Sequence, residues 1–352
     1  MAPLVAVVLA GGKGERFWPL SRRHRPKQFL CLDGSGRSLL QSTVDRILPL
    51  VGGWENVWVI TASHLEQGVI EQLPELPTTN LLVEPEGRDT AAAVAWATLE
   101  VSRKHGDQTT LAFFPADHWI EPQSEFERSL RAAAALAERE QAIATIGIPP
   151  TYASTGYGYI EQGDDLGEEL GIPGYRVKRF TEKPDSDTAE AFITAGTFSW
   201  NSGMFIFPAA VALAELARFA PEILEPLQTE GVAAYGHLPK ISIDYALMEK
   251  TERACILPAS FEWDDLGDWN ALERLASHDN DNVELAQHVG LDTEGAILYA
   301  SDEGELIVTI GLEDFVVVRD GRATLIARKD RTQEIKHVLK KLHDHPDFAD
   351  HL

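Results

Sequence analysis

Near its N-terminus the chain reads Val5-Ala6-Val7-Val8-Leu9-Ala10-Gly11-Gly12-Lys13-Gly14-Glu15-Arg16-Phe17-Trp18-Pro19-Leu20-Ser21. This stretch begins as an apolar run that ends at glycine, a pattern that predicts a buried strand of a parallel sheet. The glycines that follow let the backbone approach a ligand and turn its N–H groups toward an anion, while Lys13 and Arg16 add positive charge. The stretch therefore predicts a phosphate-binding turn after the first strand.

Two common phosphate motifs do not fit this turn. A P-loop needs Lys followed by Ser or Thr after its last glycine, whereas Gly14 is followed by Glu15 and Arg16. The dinucleotide-binding fingerprint needs a third glycine where Phe17 stands, which disfavours an NAD-dependent enzyme. A strand that ends in an ordinary flexible turn remains the alternative.

The composition predicts a globular protein with one large or two ordinary domains. The chain has 352 residues, of which 44% are hydrophobic and 24% are charged. Its apolar runs are too short to span a bilayer, and the first of them lacks a basic leader and a cleavage site. Two cysteines, Cys31 and Cys255, suit a reducing compartment and give no metal-ligand spacing. We therefore expect a cytoplasmic protein.

The charge distribution points to a small anionic ligand. A formal net charge of −24 argues against binding to nucleic acid or to an anionic membrane, because such surfaces repel the chain at long range. Residues 13–27 nevertheless contain six of the 31 Lys and Arg residues and one acid, Glu15. This cluster predicts a site for a polyanion such as a nucleoside triphosphate, with an ordinary solvated face as the alternative.

The order of apolar segments predicts an α/β protein with a Rossmann-like, mixed and mostly parallel sheet flanked by helices. Ligands of such sheets bind beyond the carboxyl ends of the strands, where the glycine turn, residues 84–90 and residues 115–118 all fall. Residues 152–276 are less regular, with expected helices at 244–250 and 269–275. The remaining predicted elements are strands at Val5–Leu9, Val57–Thr61, Leu81–Val83, Thr110–Phe114 and Ile143–Ile148, and helices at Ala91–Leu99 and Phe126–Arg139.

The composition changes after about residue 283. Short alternating strands are expected at Ala296–Tyr299, Leu306–Ile310, Phe315–Val318 and Ala323–Ile326. A closing amphipathic helix, Arg331–His343, places Ile335, Val338, Leu339 and Leu342 on one stripe. We therefore predict a catalytic domain at 1–282 and a small β-rich domain at 283–352, whose default role is packing or oligomerisation.

Several segments of the chain resemble the motifs of a known enzyme family. Leu9–Ser21 with Arg25–Leu30 closely resembles the signature of sugar-nucleotide pyrophosphorylases, a family of nucleotidyltransferases, and among them the enzymes that make GDP-mannose. The resemblance continues in the family's order through Phe114–His118, Glu182–Pro184, Trp200–Phe205, Ser242–Lys250 and Trp263–Trp269. Because these motifs cover nearly the whole chain in one order, the likeness is specific.

The resemblance implies the reaction GTP plus mannose 1-phosphate giving GDP-mannose and diphosphate, by Mg²⁺-assisted in-line attack of the sugar phosphate on the α-phosphorus. Such a step needs charge neutralisation and positioning more than covalent chemistry from the protein. The implied phosphate residues are Leu9, Ala10, Gly11, Gly12, Lys13 and Gly14 around the triphosphate, Arg16 and Lys27 at the reacting phosphates, and Asp117 and Asp265 as Mg²⁺ ligands. Asp264 and Asp268 are close alternatives to Asp265.

The resemblance also implies which residues bind the base and which bind the sugar phosphate. The base is expected near Glu84, Gly87, Asp89 and Thr90, where an acceptor could meet the N1–H and amino donors of guanine. The sugar phosphate is assigned to Lys183, with the hydroxyls read by Glu161, Asn201 and the backbone of Gly158. For Lys183, an ordinary surface lysine before a turn proline is the alternative.

The chain departs from the family pattern at two places. Asp89 replaces a usual Asn, and Ala92 or Ala93 replaces a usual Pro, which leaves the choice of base open. Many bacterial relatives continue into a phosphomannose isomerase domain, so we expect a separate isomerase. A pyrophosphorylase for another hexose 1-phosphate or nucleotide is the alternative within the class, and a non-catalytic nucleotide-binding regulator is the alternative outside it. A homodimer is expected.

Overall fold

The computed structural model describes residues 4–12, 14–32, 34–275, 282–302 and 304–351. The strands are β1 (Leu4–Leu9), β2 (Val57–Ala62), β3 (Leu81–Glu84), β4 (Thr110–Pro115), β5 (Trp119–Glu121), β6 (Ile143–Ile148), β7 (Tyr159–Glu169), β8 (Ile172–Thr181), β9 (Phe198–Pro208), β10 (Ala254–Pro258), β11 (Glu262–Asp264), β12 (Val283–Leu285), β13 (Gln287–Leu291), β14 (Ile297–Ala300), β15 (Leu306–Ile310), β16 (Phe315–Asp320) and β17 (Ala323–Arg328). The α-helices are α1 (Leu39–Val51), α2 (Glu66–Gln72), α3 (Asp89–His105), α4 (Gln123–Glu140), α5 (Ser186–Ala195), α6 (Ala209–Phe219), α7 (Pro221–Glu230), α8 (Ala271–Leu275) and α9 (Ile335–His343).

The chain forms two compact units. Unit 1 comprises Met1–Gly11, Thr43–Ala116 and Ile120–Trp263, and unit 2 comprises Gly12–Ser42, Asp117–Trp119 and Asp264–Leu352. The predicted domain division at residue 282 stays a prediction. Within the residues described, no helix is long and apolar enough to cross a membrane.

Unit 1 is built on one sheet, in which the described strands follow the order β3-β2-β1-β4-β9-β6-β10-β8-β7. Neighbours pair in parallel from β3 to β4, whereas β9 runs antiparallel to both β4 and β6. The carboxyl ends of β1, β3 and β4 consequently lie at one edge of the sheet, as the sequence predicts. Val5, Val7 and Phe113 share a buried core with the alanine-rich α3, because one face of the sheet packs against helices. The expected fold class is thus present.

The middle of the chain is more regular than the sequence predicts. β7, β8, β9 and β10 all join the sheet of unit 1, so residues 152–276 supply much of it. The β7–β8 pairing carries several register shifts and many exposed charged side chains, which breaks the apolar alternation that reveals a strand. The helix expected at 244–250 is a π-helical turn, Asp244–Met248. The helix expected from Trp269 begins at Ala271.

Unit 2 contains the small sheets of the C-terminal region. β12, β14 and β16 pair in parallel, β17 closes that sheet antiparallel to β16, and β13 pairs in parallel with β15. Its core joins this region to the N-terminal turn, since Phe17 and Trp18 are buried with Trp269, Ile297 and Val316. The ring centroids of Phe17 and Trp269 lie 5.1 Å apart.

The closing helix is shorter than predicted. Residues Lys329–Glu334 form a 3₁₀ helix, and α9 begins at Ile335. Side-chain hydrogen bonds from Thr332 and Gln333 to Asp268 hold this segment in the tighter turn. On the predicted stripe Ile335 is buried, whereas Val338 is 44% exposed.

Candidate active site

A pocket of about 340 Å³ in unit 2 holds all four predicted catalytic side chains. This size falls in the range of small-molecule sites. Its lining residues are Gly14, Glu15, Arg16, Phe17, Lys27, Asp117, His118, Asp265, Gly267 and Lys336. The sequence separates these residues by more than 300 positions, so the fold of unit 2 is what brings them together.

Lys27 is the centre of the polar contacts in this pocket. Its ammonium donates to the Asp117 carboxylate at 2.7 Å and to the backbone carbonyl of Asp265 at 2.5 Å. The residue is only 5% exposed, so these bonds hold the charge in one place. The preceding Pro26 opens a short 3₁₀ turn, and Gln28 donates to the carbonyl of Gly12 at 3.0 Å. Lys27 therefore links the phosphate turn to both predicted metal ligands.

The turn that follows Gly12 is shaped by Gly14, which has φ +58° and begins the 3₁₀ helix Glu15–Phe17. A Cβ atom at Gly14 would lie 2.2 Å from Cβ of Lys27, which no side chain can tolerate. Arg16, in the same turn, donates to the carbonyl of Gly267 at 3.1 Å. Glycine at position 14 is thus required by both its backbone conformation and its neighbour.

Substituting Gly14 with alanine should therefore displace Lys27. We expect Gly14→Ala to cost about 1–2 kcal/mol for the left-handed conformation alone, with a further loss from the clash, and to lower activity strongly. Gly12→Ala is the matched control, because a Cβ atom there meets nothing within 4 Å. Urea unfolding on both variants and steady-state kinetics on Gly14→Ala test this, and equal stability of the two variants would contradict it.

The pKa values of Asp117 and His118 are both lowered, but for different physical reasons. Burial raises the pKa of Asp117, but the charge of the Lys27 ammonium and the hydrogen bond from it outweigh this effect, so the pKa of Asp117 lies below its usual value. Burial lowers the pKa of His118, and the nearby carboxylates of Asp117 and Asp265 only partly oppose the shift. At neutral pH the pocket therefore presents an ionised Asp117 beside a neutral imidazole.

The geometry distinguishes Asp265 from its two neighbouring aspartates. Asp264 accepts from the backbone of Leu266 and from both donors of the Arg274 fork, at 2.5–3.0 Å. Asp268 accepts from the backbone of Asn270 and from Thr332, both at 3.0 Å. Both are 7% exposed, whereas Asp265 lines the pocket. Asp264 and Asp268 thus hold the loop, and Asp265 faces the ligand space.

The donor set of the pocket fits a hard divalent cation. No group of three or more His, Cys, Asp or Glu side chains clusters in a metal-binding arrangement among the described residues. Asp117 and Asp265 nevertheless line one cavity, and two carboxylates leave the remaining positions to phosphate oxygens and water.

In unit 1, Glu84 ends β3 and lies beside the start of the phosphate turn. Tyr235 donates to its carboxylate at 2.6 Å, and a Cβ atom at Gly11 would lie 3.2 Å from its other oxygen. Burial raises the pKa of Glu84 despite the Tyr235 bond, and burial together with Glu84 raises that of Tyr235. Leu9 and Ala10 lead into this turn, and the Ala10 carbonyl accepts from Thr61 at 3.0 Å.

The other predicted base residues follow β3 in order. Gly87 is exposed, and Asp89 opens α3 with φ +65°. The Asp89 carboxylate accepts from the backbone of Thr90 at 2.8 Å, and the Thr90 hydroxyl accepts from the backbone of Ile243 at 2.9 Å. Asp89 is exposed, so its carboxylate can also meet a ligand.

The predicted sugar residues lie elsewhere in unit 1. Asn201 donates from its backbone to Gly158 at 2.8 Å and from its side chain to Asp244 at 3.0 Å. Lys183 pairs with Glu182, whose carboxylate fills the space that a Cβ atom at Gly158 would need. Asn201 and Lys183, together with Asp244 and Glu182, therefore form one polar cluster around Gly158. Glu161 instead pairs with two basic residues of β8, Lys178 at 2.7 Å and Arg179 at 3.1 Å.

Asp244, a member of this cluster, has a raised pKa. Burial, and next the Glu182 carboxylate, raise its pKa to about 6. Its folded pKa lies above the unfolded value of about 3.9, so the folded state binds this proton more tightly. The resulting stability is present below about pH 4 and is lost as pH rises through 6, by on the order of 1–3 kcal/mol.

We expect the Asp244→Asn variant not to lose stability as pH rises through the pKa of Asp244, because asparagine does not titrate. The variant should gain stability relative to the parent as pH rises from about 4 to 7, with no further change above. Urea unfolding at several pH values measures the difference. Asp164→Asn, at an exposed position of β7, is the control and should show no pH-dependent gain. A gain that is the same at all pH values would contradict the assignment.

Sequence reasoning missed several polar residues of these sites. His118 and Glu182 stand inside quoted motifs and could have been found there. Tyr235 and Lys336 have no motif, and only the fold shows that they face predicted site residues. Lys13 lies outside the described residues.

A Rossmann-like sheet with a glycine-rich turn after its first strand, and a pocket lined by two aspartates, a buried lysine and an arginine, are the features expected of a nucleotidyltransferase. The Nucleotidyl transferase family matches residues 5–282, and the MannoseP isomerase/GMP-like beta-helix domain matches residues 286–342. Enzymes of this family generally use a divalent metal.

The known relatives narrow this class. Mannose-1-phosphate guanylyltransferase ManC of Salmonella typhimurium is 38% identical over 96% of this chain and 73% of its own length. The alginate biosynthesis protein AlgA of Pseudomonas putida is 39% identical over 96% of this chain and 71% of its own length. A crystal structure of mannose-1-phosphate geranyltransferase from Thermus thermophilus is 35% identical, with 97% of this chain and 99% of that one covered and a TM-score of 0.87. The chain belongs to the mannose-1-phosphate guanylyltransferase family, whose enzymes make GDP-mannose, so the predicted family, enzyme class and fold class are confirmed.

Proposed function

We propose that the chain transfers GMP from GTP to mannose 1-phosphate, with release of diphosphate, by Mg²⁺-assisted in-line attack. The observation that carries this proposal is the pocket of unit 2, where Arg16, Lys27, Asp117 and Asp265 line one cavity. In the proposed step a sugar phosphate oxygen forms the new P–O bond at the α-phosphorus. The bond to the β-phosphate breaks, and its electron pair leaves with diphosphate.

Lys27 and Arg16 stabilise the charge that develops in this step. Lys27 is held by two hydrogen bonds, so its ammonium is already oriented when the phosphates arrive. Arg16 is held by one bond to Gly267, which leaves other guanidinium donors for a phosphate oxygen. His118 stays neutral and adds no charge that would compete with Lys27 for Asp117.

Asp117 and Asp265 would hold the Mg²⁺ ion. When bound, such an ion neutralises phosphate charge and orients the phosphate oxygens. The two carboxylates come from different segments, one after β4 and one before α8, and both line the same cavity. The Asp117 carboxylate is kept ionised by Lys27, which suits a metal ligand.

For the base and the sugar, the residues of unit 1 keep their predicted roles. A Cβ atom at Gly11 would lie 3.2 Å from the Glu84 carboxylate, and Asp89 and Thr90 begin the following helix, so this edge offers acceptors for guanine. Lys183, Asn201 and Gly158 would bind the sugar phosphate and its hydroxyls. Glu182 and Asp244 add two carboxylates to that cluster. Glu161 remains a predicted hydroxyl reader.

We also propose a homodimer, a cytoplasmic location and the domain division at residue 282.

Strands β13 and β15 share an exposed apolar face, which supports a second copy of this chain as the partner. The side chains of this face are 57–70% exposed and belong to Val289, Leu291, Leu306, Val308 and Ile310. Light scattering with Val308→Lys, and with Ile326→Lys of β17 as control, tests the dimer. Two cysteine thiols agree with a reducing compartment.

Diphosphate release with every pair of nucleoside triphosphate and hexose 1-phosphate tests the substrate assignment. GTP with mannose 1-phosphate should give the highest kcat/KM, and Mg²⁺ should be required. A better pair would replace the assignment by another pyrophosphorylase. Binding of GTP without turnover of any pair would identify a regulatory relative instead.

A further inference from the structure

A lysine of the C-terminal helix lines the pocket that holds the predicted catalytic residues. Lys336 follows the buried Ile335 at the start of α9 and borders the cavity together with Arg16 and Lys27. We propose that Lys336 binds the β- and γ-phosphates of the nucleotide, which leave as diphosphate. This inference rests on the proposed function and gives the C-terminal region a part in substrate binding as well as in packing.

The charges of the pocket support this role. Three basic side chains border the cavity, and the protein already engages Lys27 through Asp117 and Arg16 through Gly267. Within the part of the chain that the structure describes, the side chain of Lys336 makes no hydrogen bond or ion pair. Its ammonium is therefore available to an entering anion, and it offsets the carboxylates that line the same space.

The position of Lys336 is fixed by the loop that carries Asp265. Asp268 of this loop accepts from Thr332 at 3.0 Å and also from Gln333, in the 3₁₀ turn directly before α9. Asn270 donates to the carbonyl of Lys329 at 3.0 Å. These bonds tie the start of α9 to the catalytic loop, so Lys336 is presented at a defined place although its side chain is exposed.

The pocket assigns Lys336 to the nucleotide rather than to the sugar phosphate. The cavity is bordered by Gly14, Glu15 and Arg16 of the predicted triphosphate turn. The lysine predicted to bind the sugar phosphate, Lys183, belongs to unit 1 and pairs there with Glu182. A cation that borders the same cavity as the predicted triphosphate turn can act on the leaving group, where negative charge accumulates.

Titration calorimetry with inorganic diphosphate and Mg²⁺ tests the proposal on the full chain. Lys336→Met should weaken diphosphate binding about tenfold, which corresponds to about 1.4 kcal/mol. Lys336→Arg should stay within about threefold of the parent, because it keeps the charge. Lys341→Met, an exposed lysine of the same helix, is the matched control and should bind normally. In kinetics, KM for GTP should rise while KM for mannose 1-phosphate stays unchanged.

Diphosphate binding by the Lys336 variants tests the role of Lys336, whereas turnover by the parent protein tests the proposed function. If the parent binds diphosphate and makes GDP-mannose while Lys336→Met behaves like Lys341→Met, the role of Lys336 is refuted and the function stands. If the parent turns over no substrate pair, the function fails, and the diphosphate titration still reports on Lys336. Thermal unfolding of each variant checks folding, and a loss of binding in Lys336→Arg equal to that of Lys336→Met would show a structural effect and overturn the proposal.

Discussion

Replacing Lys27 with methionine is expected to lower kcat at least ~100-fold, because the variant loses an oriented charge that is aimed at the reacting phosphates. Methionine keeps much of the side-chain volume in a position that is 5% exposed, so the loss is mainly electrostatic. The ammonium donates to the Asp117 carboxylate and to the backbone carbonyl of Asp265, so it is oriented before the phosphates bind. Steady-state kinetics and direct GTP titration measure the effect.

The same variant should also lose stability, since it leaves the Asp117 carboxylate without its ion-pair partner. Asp117 is 33% exposed, so solvent screens part of the cost, and we expect about 1–2 kcal/mol. The double variant Lys27→Met with Asp117→Asn should recover most of this stability without regaining activity. Lys341→Met controls for the loss of one positive charge. Turnover near the parental rate in Lys27→Met would exclude the catalytic role of Lys27.

The N-terminal half of the fold could be predicted from the sequence because its strands are buried on both faces. Such strands are continuous apolar runs bounded by glycine or polar residues, and the predicted β6 has the observed bounds, Ile143–Ile148. β7 and β8 form an exposed antiparallel pair with bulges, and charged residues interrupt their pattern. That pairing depends on contacts between segments, which a local pattern does not contain.

Some residues of the candidate site could be predicted from the sequence, whereas others are placed there only by the structure. Local spacing and family motifs could select Lys27, Asp117 and Asp265, because each stands in a short recognisable segment. Lys336 lies in an ordinary amphipathic helix, and its place in the pocket follows from the hydrogen bonds of Asp268. The family resemblance selects Asp265 among three aspartates that fall within five residues of sequence, and the structure adds that Asp264 and Asp268 hold the loop through hydrogen bonds.

Replacing Asp265 with asparagine should lower kcat at least ~100-fold, because the variant loses a carboxylate that lines the cavity. The carboxylate borders the cavity, and the bond that Lys27 makes to residue 265 goes to its backbone carbonyl, which asparagine retains. Removing the negative charge should weaken the binding of a divalent cation, so the Mg²⁺ concentration for half-maximal activity should rise.

Asp268→Asn is the matched control, because it makes the same chemical change three residues away. Its carboxylate is 7% exposed and accepts from Asn270, Thr332 and Gln333, so this variant should lose about 1–3 kcal/mol of stability. Its kcat should fall by less than about tenfold, because the carboxylate holds the loop and meets no substrate. Urea unfolding and Mg²⁺ titrations on both variants separate the two roles. If Asp268→Asn lost activity and Asp265→Asn lost stability instead, Asp268 would replace Asp265 as the assigned metal ligand.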